Sequence, residues 1–406
     1  MKTIISIIPL ALQKDGRTLK MAASFAKLGC KSIVIEHQKS TEDFSSLGIE
    51  VISLNQVRQE HDESENVFTT AQPGYIRRIL EFAWHGLRKI GLGCINDWIS
   101  FLEFKRKFRT EYNLINVDIP EADIYVFHSY EFAKFALSLK NEAKIIYDAH
   151  DFYQEINPIN DESTLVKKWI MPFRWRFEKK LIDRCDVFLT VSSGLGKKYF
   201  NVSNKRPLVI KNAHDARNDQ PCDKDIRKYL KLDSNAVIVC CVGNKKKGMA
   251  FDQLVKVFSQ NLKSLHLVFI GNGYDYNANT FSNIHFIPAL NLNKLVSFLK
   301  SANFGIVPYF DFSENYKFAL PNGFFQLMTS QLPLIFSHAL LEINQLNKKY
   351  SFGIAVDIKQ GEEVILGLQQ LESGYANFKK NIVKASKMLS WQAEEEKLKF
   401  ILNKLV

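Results

Sequence analysis

The sequence predicts an α/β protein made of two doubly wound halves. Short runs of β-branched and apolar residues recur along the 406-residue chain, and helical patterns separate them. Strands this apolar are buried on both faces, which is typical of parallel sheets covered by helices. The length suits about two domains, and the strand series starts again after a polar stretch, residues 214–225. We therefore expect two Rossmann-like domains.

The first half is predicted to open with a strand, a short turn and a helix. We expect the helix over residues 18–28, because Gly29 is suited to a helix C-terminus. The turn before it, residues 14–17, lacks the G-x-G-x-x-G fingerprint, so NAD or FAD is not expected there. Glu36 is interpreted as a solvated strand end. The predicted strands of this half cover residues 4–8, 32–36, 50–54, 123–128, 144–148, 186–191 and 208–211.

A basic amphipathic segment, residues 75–109, interrupts the first half. Its apolar residues recur at helical spacing opposite arginine and lysine, and it carries Trp84 and Trp98. Such a helix can lie on an anionic membrane surface, although two ordinary helices packed on the sheet would give the same pattern. Basic patches with aromatics also suit nucleic acid, but no RNA-binding or helix-turn-helix motif accompanies this one. We expect no nucleic-acid partner.

The second half repeats the alternation of strands and helices. A helix is predicted over residues 251–258, and the final stretch, residues 385–406, is predicted to be one helix with a leucine and isoleucine stripe after Trp391. The strands predicted here cover residues 236–242, 265–270, 284–287, 304–308 and 334–336.

Composition and charge narrow the class of protein. The hydrophobic fraction of 46% and charged fraction of 24% are ordinary for a soluble protein. Six cysteines without a CxxC pair argue for a reducing compartment, with no disulfide framework and no structural zinc. The net charge of +11 favours anionic partners such as phosphorylated substrates, nucleic acid or acidic lipid. No uncharged stretch approaches the roughly 20 residues that span a bilayer, so we expect a cytoplasmic protein that is soluble or peripheral at the inner face of the membrane.

Three loops of the second half suit an anion. Residues 243–248 place three lysines between two glycines, before a helix, and Gly271-Asn272-Gly273 follows the next strand. Pro321 can open a third helix whose N-terminal end includes Asn322 and Gly323, with Gln326 one turn later. Lysines and helix N-termini suit a diphosphate, and Gln326 could bind a sugar hydroxyl. A solvated charge run and an ordinary buried helix are the alternatives.

A histidine between two carboxylates ends a strand of the first half. His150 lies between Asp148 and Asp151, and His128 ends the preceding strand. A histidine placed in this way can bind hydroxyls, orient a sugar or shuttle a proton. A hydrogen-bonded structural histidine is the alternative.

Several segments match a known pattern in order and spacing. They are residues 123–128, 146–151, 178–192, 209–215, 242–248 and 320–328. The first two look like paired histidine-bearing strands, and the last reads Leu-Pro-Asn-Gly-Phe-Phe-Gln-Leu-Met. Together they resemble the GT-B-fold nucleotide-sugar glycosyltransferases, in particular retaining family 4, the "glycosyl transferases group 1".

The resemblance implies a fold and an activity. It implies two Rossmann-like domains facing a central cleft: an acceptor-binding domain, residues 1–215, and a donor-binding domain, residues 216–384. The helix over residues 385–406 would cross back to the first domain. The implied activity is transfer of a sugar from a nucleotide diphosphate sugar, most of all a UDP-sugar, to a glycan or lipid-linked acceptor. The implied setting is bacterial surface polysaccharide or glycoconjugate synthesis, with retention of configuration by a hexosyltransferase.

The resemblance also assigns the site residues. His150 would be catalytic and orient the transferred sugar. No Asp-x-Asp element is suitably placed, so no obligatory metal or other cofactor is expected. The donor-binding residues would be Gly243, Lys247, Gly271, Gly273, Glu314, Pro321, Asn322, Gly323 and Gln326. The acceptor or cleft residues would be Asp15, Gly16, Arg17, His128, Asp148 and Asp151.

Two departures from the family pattern keep other hypotheses open. The family carries lysine at the position of Gly323 and glutamate at that of Gln326. The acidic residue of its E-x7-E motif falls on Phe318, with Glu314 the nearest substitute. One alternative is a sugar-nucleotide epimerase of similar build, and another is a weakly active or non-catalytic homologue that serves as a partner subunit.

Overall fold

A computed structural model describes residues 1–54, 117–140, 142–155, 164–260, 264–274 and 281–405, together with scattered positions between 98 and 115. The described residues form two compact units. The first comprises residues 1–189 and 199–208 with Leu405, and the second comprises residues 190–198 and 209–404. Most of the predicted amphipathic segment, residues 75–109, lies outside the described residues.

The first sheet has the strand order β3-β2-β1-β4-β5-β6-β7 among the described residues. The pairs from β3 to β5 run parallel, as in the register that places Ile5 between Ile33 and Tyr125. The strands are β1 Thr3–Ile8, β2 Lys31–Glu36, β3 Ile49–Ser53, β4 Ile124–Phe127, β5 Lys144–Ala149, β6 Val187–Thr190 and β7 Leu208–Val209.

In this part of the chain, each described α-helix comes after a strand in the sequence. Gly29 has a left-handed φ of 86° just beyond α1, as its predicted place at the helix end requires. The α-helices are α1 Gly16–Lys27, α2 Ala133–Ser138, α3 Thr164–Arg184 and α4 Ser193–Ser203. Short 3₁₀ turns cover Leu12–Lys14, Ser45–Leu47, Tyr130–Phe132 and Tyr153–Glu155.

Glu36 at the end of β2 is not solvated, so that interpretation was wrong. Its side chain is 1% exposed. Its carboxylate accepts hydrogen bonds from the Leu12 and Ser40 amides and from the Ser40 hydroxyl. These bonds compensate its burial by tying the turn after β1 to the segment after β2.

The second sheet has the order β10-β9-β8-β11-β12-β13 among the described residues, and its neighbours pair in parallel. The strand Gly353–Val356 was missed in the sequence, because this short run buries only Gly353 and Val356. The strands are β8 Val237–Val242, β9 Leu265–Ile270, β10 Ile284–Ile287, β11 Phe304–Val307, β12 Leu334–Ser337 and β13 Gly353–Val356.

The helices of the second unit pack around this sheet. In α9, Phe324, Phe325, Leu327 and Met328 are all at most 1% exposed, as the sequence predicted. The α-helices are α5 Ile226–Leu230, α6 Phe251–Gln260, α7 Leu292–Leu299, α8 Glu314–Lys317, α9 Asn322–Thr329, α10 Leu341–Tyr350, α11 Gly361–Ser373, α12 Tyr375–Met388 and α13 Trp391–Leu405. A 3₁₀ turn covers Ala216–Asn218.

The predicted single helix over residues 385–406 is wrong, because the helix is interrupted at Leu389 and Ser390, between α12 and α13. The Ser390 hydroxyl accepts from the Ala393 amide and so begins α13 with a side-chain cap. The Trp391 amide donates to the His214 carbonyl instead of continuing α12. Further on, Glu394 accepts from the Lys211 amide, so α13 is tied to the segment where the first domain was predicted to end. The predicted domain boundaries and the crossing of this helix stay predictions.

The α/β class with two parallel sheets is confirmed. Within the described ranges, no helix combines the length and the apolar character needed to cross a membrane.

Candidate functional site

A buried ion pair stands at the carboxyl end of the first sheet. Asp148, near the end of β5, has a side chain that is 0% exposed. Arg17, in the first turn of α1, donates from Nε to Oδ2 at 2.8 Å and from Nη2 to Oδ1 at 2.7 Å. A fork of this kind fixes the orientation of the carboxylate as well as stabilising its charge.

Both predicted histidines contact the same oxygen of Asp148. His128 Nδ1 and His150 Nε2 each lie 3.1 Å from Oδ2. The two ring nitrogens are 3.2 Å apart. The structure therefore brings together His128, Asp148 and His150, as the strand ends predicted, and Arg17, another residue of the predicted acceptor or cleft set, is bonded to Asp148.

The pKa values of the two histidines are shifted in opposite directions. Burial lowers the pKa of His128, and the neighbouring carboxylate only partly opposes this. Burial also acts to lower the pKa of His150, but Asp15 and Asp148 outweigh it and raise the pKa. Burial opposes ionisation of Asp148 as well, yet Arg17 and His150 hold its pKa well below the usual range. A proton taken up by the cluster therefore goes to His150 before His128, and the His150 side chain is 21% exposed whereas that of His128 is 0% exposed.

The other predicted acceptor or cleft residues, Asp15, Gly16 and Asp151, differ in their contacts and exposure. Asp15 accepts from the Thr18 amide and hydroxyl, so it caps α1, and its charge supports the proton on His150. Gly16 begins α1 and is exposed. Asp151 is exposed as well, and its backbone carbonyl accepts from the Tyr199 hydroxyl.

The same cluster contains residue types that bind metal ions. Within the part of the chain that the structure describes, His128, Asp148 and His150 offer ligand atoms within 4.8 Å of one another. Asp148 Oδ2, however, already accepts from Arg17 and faces both histidines. A guanidinium bonded to the would-be ligand oxygen opposes a divalent cation there. The residues fit an internally paired cluster better than a metal centre.

In the second unit, the loops after β8 and β9 are joined to each other. The Lys245 amide donates to the Asn272 carbonyl at 2.9 Å, and the Asn272 amide donates to Asn244 Oδ1 at 2.8 Å. Gly271 has a φ of 155°, and a Cβ there would stand 2.2 Å from the Gly243 oxygen. The backbones of Gly243 and Gly271 are therefore in close contact, and the loop that contains Gly273 is joined to the loop that follows β8.

The start of α9 lies against the end of β8. A Cβ on Gly323 would stand 2.2 Å from the Val242 backbone oxygen, a separation that real Cβ atoms do not show. Pro321, with φ −62°, is the residue before the helix, and its carbonyl accepts from the Phe324 amide. The departure from the family lysine thus has a packing reason, since no side chain fits at position 323 in this arrangement.

The lysine-rich loop is anchored by its backbone while its side chains reach outward. Lys245, Lys246 and Lys247 are all exposed. The Tyr316 hydroxyl donates to the Lys247 carbonyl at 2.8 Å, and Lys247 Nζ lies 4.9 Å from the centre of the Phe312 ring. The loop that follows β8 thus carries three exposed cationic side chains.

The other predicted donor residues are already engaged or buried. Glu314 pairs with Lys198 at 2.8 Å and with Lys317, and these bonds lower its pKa. Asn322 accepts from Asn212 Nδ2 at 2.9 Å. The Gln326 side chain lies one turn into α9 and is only 7% exposed.

Another helix N-terminus in the second unit, that of α4, is occupied by a carboxylate of the protein. Glu342, at the start of α10, is 2% exposed. Its two carboxylate oxygens accept from the Ser193 and Gly194 amides at 2.9 Å each, at the first residues of α4. By contrast, the first turn of α9 carries no acidic residue.

Sequence reasoning missed the buried groups that support these residues. Glu178, Tyr147 and Tyr199 form a hydrogen-bonded network behind the His150 loop. Glu178 and Tyr147 lay in segments that carried the family resemblance, and a charged residue on a helix that faces a sheet was the available signal. Lys198, the partner of Glu314, left no signal because this contact is distant in sequence. Asn212 lay in the matching segment 209–215, but nothing in the sequence indicated its contact with Asn322.

These two parallel sheets with interleaved helices define the GT-B fold, and structures of GT-B glycosyltransferases resemble the chain over its full length. Sucrose-phosphate synthase from Thermosynechococcus elongatus has a TM-score of 0.63 at 14% identity, covering 100% of this chain and 99% of that one. Anabaena HepE in complex with UDP-glucose has a TM-score of 0.62 at 11% identity, covering 100% of both chains. WaaG, a glycosyltransferase involved in lipopolysaccharide biosynthesis, has a TM-score of 0.57 at 10% identity, covering 98% of both chains. No protein-family model matches the chain, and no curated protein does.

Proposed function

We propose that the chain is a glycosyltransferase that moves a sugar from a nucleotide diphosphate sugar to an acceptor hydroxyl. The observation that carries the proposal is the joined loop surface of the second unit. There, glycines at 243, 271 and 323 bring backbone to one surface at the carboxyl ends of β8 and β9, beside three exposed lysines. Glycines that permit a close approach, a helix N-terminus and lysines together suit a diphosphate. HepE, a structural neighbour, was solved with UDP-glucose, which supports UDP as the nucleotide.

The proposed roles follow from the charges of the two units. Lys247 and the α9 N-terminus stabilise the departing diphosphate, where negative charge develops. The ring of His150 donates a hydrogen bond to a hydroxyl of the transferred sugar, and Asp148 holds the ring in place. The donor binds the second domain and the acceptor binds the first. No step needs a metal.

The finer proposals concern the reaction and its setting. We propose a hexosyltransferase that retains anomeric configuration and acts on a glycan or lipid-linked acceptor in bacterial surface polysaccharide or glycoconjugate synthesis, in the cytoplasm. The resemblance of the segments that contain His150 and Gln326, residues 146–151 and 320–328, supports this setting.

A non-catalytic homologue is the second candidate. It is favoured by Glu314, whose carboxylate is taken by two lysines, and by the neutral Gln326 where the family has a carboxylate. Such a homologue would bind a nucleotide sugar without transferring it.

The experiment is a thermal-shift screen of nucleotides and nucleotide sugars, followed by calorimetry and a turnover assay in the presence of EDTA. A ligand at 100 times its dissociation constant adds roughly 2.7 kcal/mol of stability. We expect UDP and a UDP-sugar to stabilise the protein, and sugar to be released or transferred without added metal. Binding without turnover on any acceptor extract would favour the non-catalytic homologue, and no binding by any nucleotide would reject both.

We also propose that the first unit contacts an anionic membrane surface. Trp98, Leu102 and Trp169 are 46%, 44% and 43% exposed, and the two tryptophan rings meet edge to face at 4.8 Å. Lys105 and Arg106 lie on the same helical stretch. Exposed aromatics beside basic residues suit the interface of an acidic bilayer.

Vesicle co-sedimentation tests this surface. We expect wild type to bind vesicles of phosphatidylglycerol and phosphatidylcholine more than vesicles of phosphatidylcholine alone, and high salt to release it. Trp98→Ala with Trp169→Ala should lose most of the binding. The control is Phe400→Ala, an aromatic that is 59% exposed on α13. Equal binding by the double variant and the control would contradict the proposal.

A further inference from the structure

Behind the His150 loop lies a carboxyl group that is completely buried. Glu178, in the middle of α3, is 0% exposed. Its Oε1 lies 2.9 Å from the Tyr147 hydroxyl and 2.6 Å from the Tyr199 hydroxyl. The same Tyr199 hydroxyl lies 2.8 Å from the Asp151 carbonyl oxygen, in the residue after His150. Three oxygen–oxygen contacts of hydrogen-bond length therefore run from β5 through α3 and α4 to this loop.

Each of these three contacts needs one hydrogen atom. A tyrosine hydroxyl supplies one hydrogen and a backbone carbonyl supplies none. If Glu178 were ionised, Tyr147 and Tyr199 would provide two hydrogens for three contacts, and two lone pairs would face each other at 2.6 or 2.8 Å. If Glu178 is protonated on Oε1, it donates to Tyr199, Tyr199 donates to Asp151, and Tyr147 donates to Glu178. All three contacts are then hydrogen bonds.

The other charged groups nearby do not change this count. Arg174, one turn earlier on α3, is 2% exposed, and its guanidinium lies 5.3 Å from the Tyr130 ring centre and 6.0 Å from the Tyr153 ring centre. Arg174 Nη2 and Glu178 Oε2 are both buried without a hydrogen-bond partner among the residues described, so they do not form a carboxylate–guanidinium fork.

Among the described residues, the network also has the carboxylates of Glu131 and Asp151 and the phenol of Tyr153 beside it. Glu131, before α2, and Asp151 interact with Tyr153, whose pKa is raised by burial first and then by these carboxylates and Glu178. Burial also raises the pKa of Glu178 to about 7, although its tyrosine partners and Arg174 act to lower it.

We propose that Glu178 is held as a neutral carboxylic acid whose proton completes the hydrogen-bond chain to the loop after His150. Glu178 is thus a positioning residue, and its ionisation removes one bond from the chain and loosens that loop. The effect on turnover rests on the proposed transferase function, whereas the protonation state does not.

The variant Glu178→Gln provides the matched comparison. With its amide nitrogen at the position of Glu178 Oε1, its two N–H groups can donate to the Tyr199 and Tyr147 hydroxyls, and Tyr199 still donates to Asp151, so the chain stays complete at every pH. Infrared spectra of wild type minus this variant should contain a carboxylic-acid C=O band at pH 5 that disappears around pH 7. Absence of this band at pH 5 in folded protein would overturn the proposal.

Urea unfolding provides a second measure. The folded-state pKa of Glu178 lies above its unfolded value, so the contribution of the neutral acid is complete below about pH 4.5 and is lost as the pH rises towards 7. Relative to Glu178→Gln, wild type should have a lower unfolding midpoint at pH 8 than at pH 5. A midpoint difference that does not change between these pH values would contradict the inference.

The turnover profile connects the network to catalysis. In wild type, kcat should fall as pH rises above about 7, approaching about tenfold per pH unit for a single ionisation, while KM changes little. Glu178→Gln should lack this limb, and Tyr199→Phe should have a lower kcat at every pH. A wild-type limb that persists in Glu178→Gln would remove Glu178 from its positioning role. If no substrate is turned over, the proposed function fails, while the infrared and unfolding results still decide the protonation state.

Discussion

Placing a methyl group on Gly323 tests whether the start of α9 is set by its contact with β8. The Cβ of Gly323→Ala would stand 2.2 Å from the Val242 oxygen. This oxygen cannot retreat easily, because β8 is held between β9 and β11 in the sheet. The helix start must therefore move by about 1 Å to reach the distance of an ordinary contact. Overpacking of this kind typically costs about 1–3 kcal/mol, and we expect the upper part of that range.

The matched control is Gly16→Ala. Gly16 also begins a helix that follows a strand, but a Cβ there would meet nothing within 4 Å. Alanine is favoured over glycine in a helix by about 1 kcal/mol, so this control should be neutral or slightly stabilising. Urea unfolding measures both variants, and nucleotide titration should show weaker binding in Gly323→Ala alone. A Gly323→Ala protein as stable as Gly16→Ala, with wild-type nucleotide affinity, would refute the reasoning.

Three further predictions concern charged groups. Lys247→Ala should raise the donor dissociation constant about 10- to 150-fold, because a charge-assisted contact contributes roughly 1.5–3 kcal/mol. Lys348→Ala, an exposed lysine in the last turn of α10, should leave it unchanged, and equal constants for both variants would remove Lys247 from the site. Arg17→Met should lower the free energy of unfolding by about 3–5 kcal/mol, since it leaves the buried Asp148 charge uncompensated; urea unfolding measures this, and a loss below 1 kcal/mol would contradict it. The pKa of His285 is lowered to about 4 by burial, so its neutral form stabilises the fold above about pH 6.5, and this contribution is lost as pH falls towards 4. After allowance for partial exposure, His285→Phe should remove about 1–2 kcal/mol of the acid sensitivity between pH 7 and pH 4.5, and an unchanged slope of unfolding midpoint against pH would count against this.

Local sequence patterns were enough to predict most of the strands. The predictions for Leu265–Ile270 and Ile284–Ile287 match the structure residue for residue. Continuous apolar runs bounded by turn residues give a strong signal of this kind. The predicted neighbours at the strand ends, His128 with His150 and Gly243 with Gly271, followed because the carboxyl ends of parallel strands share one edge of a sheet.

Contacts between residues distant in sequence explain most of the rest. Glu36 looked like a solvated end because its partners, Leu12 and Ser40, reach it only in the folded chain. The proton on Glu178 depends on two tyrosines from other elements. Gly323 was one of the departures that kept a weakly active or non-catalytic homologue open, yet it is the residue that lets α9 meet the end of β8. None of these contacts leaves a periodic pattern in the sequence.

The carboxylate of Glu342 affects which helix N-terminus of the second unit can bind an anion. It already neutralises the amides at the start of α4, so a phosphate arriving there would meet a resident negative charge. The start of α9 has no acidic residue in its first turn and lies beside the lysine loop. The Glu342 carboxylate thus occupies the N-terminus of α4, whereas no acidic residue of its own first turn occupies the N-terminus of α9. Glu342→Gln would remove the negative charge that opposes phosphate at the N-terminus of α4. A phosphate titration of this variant should then detect a second, weaker binding site.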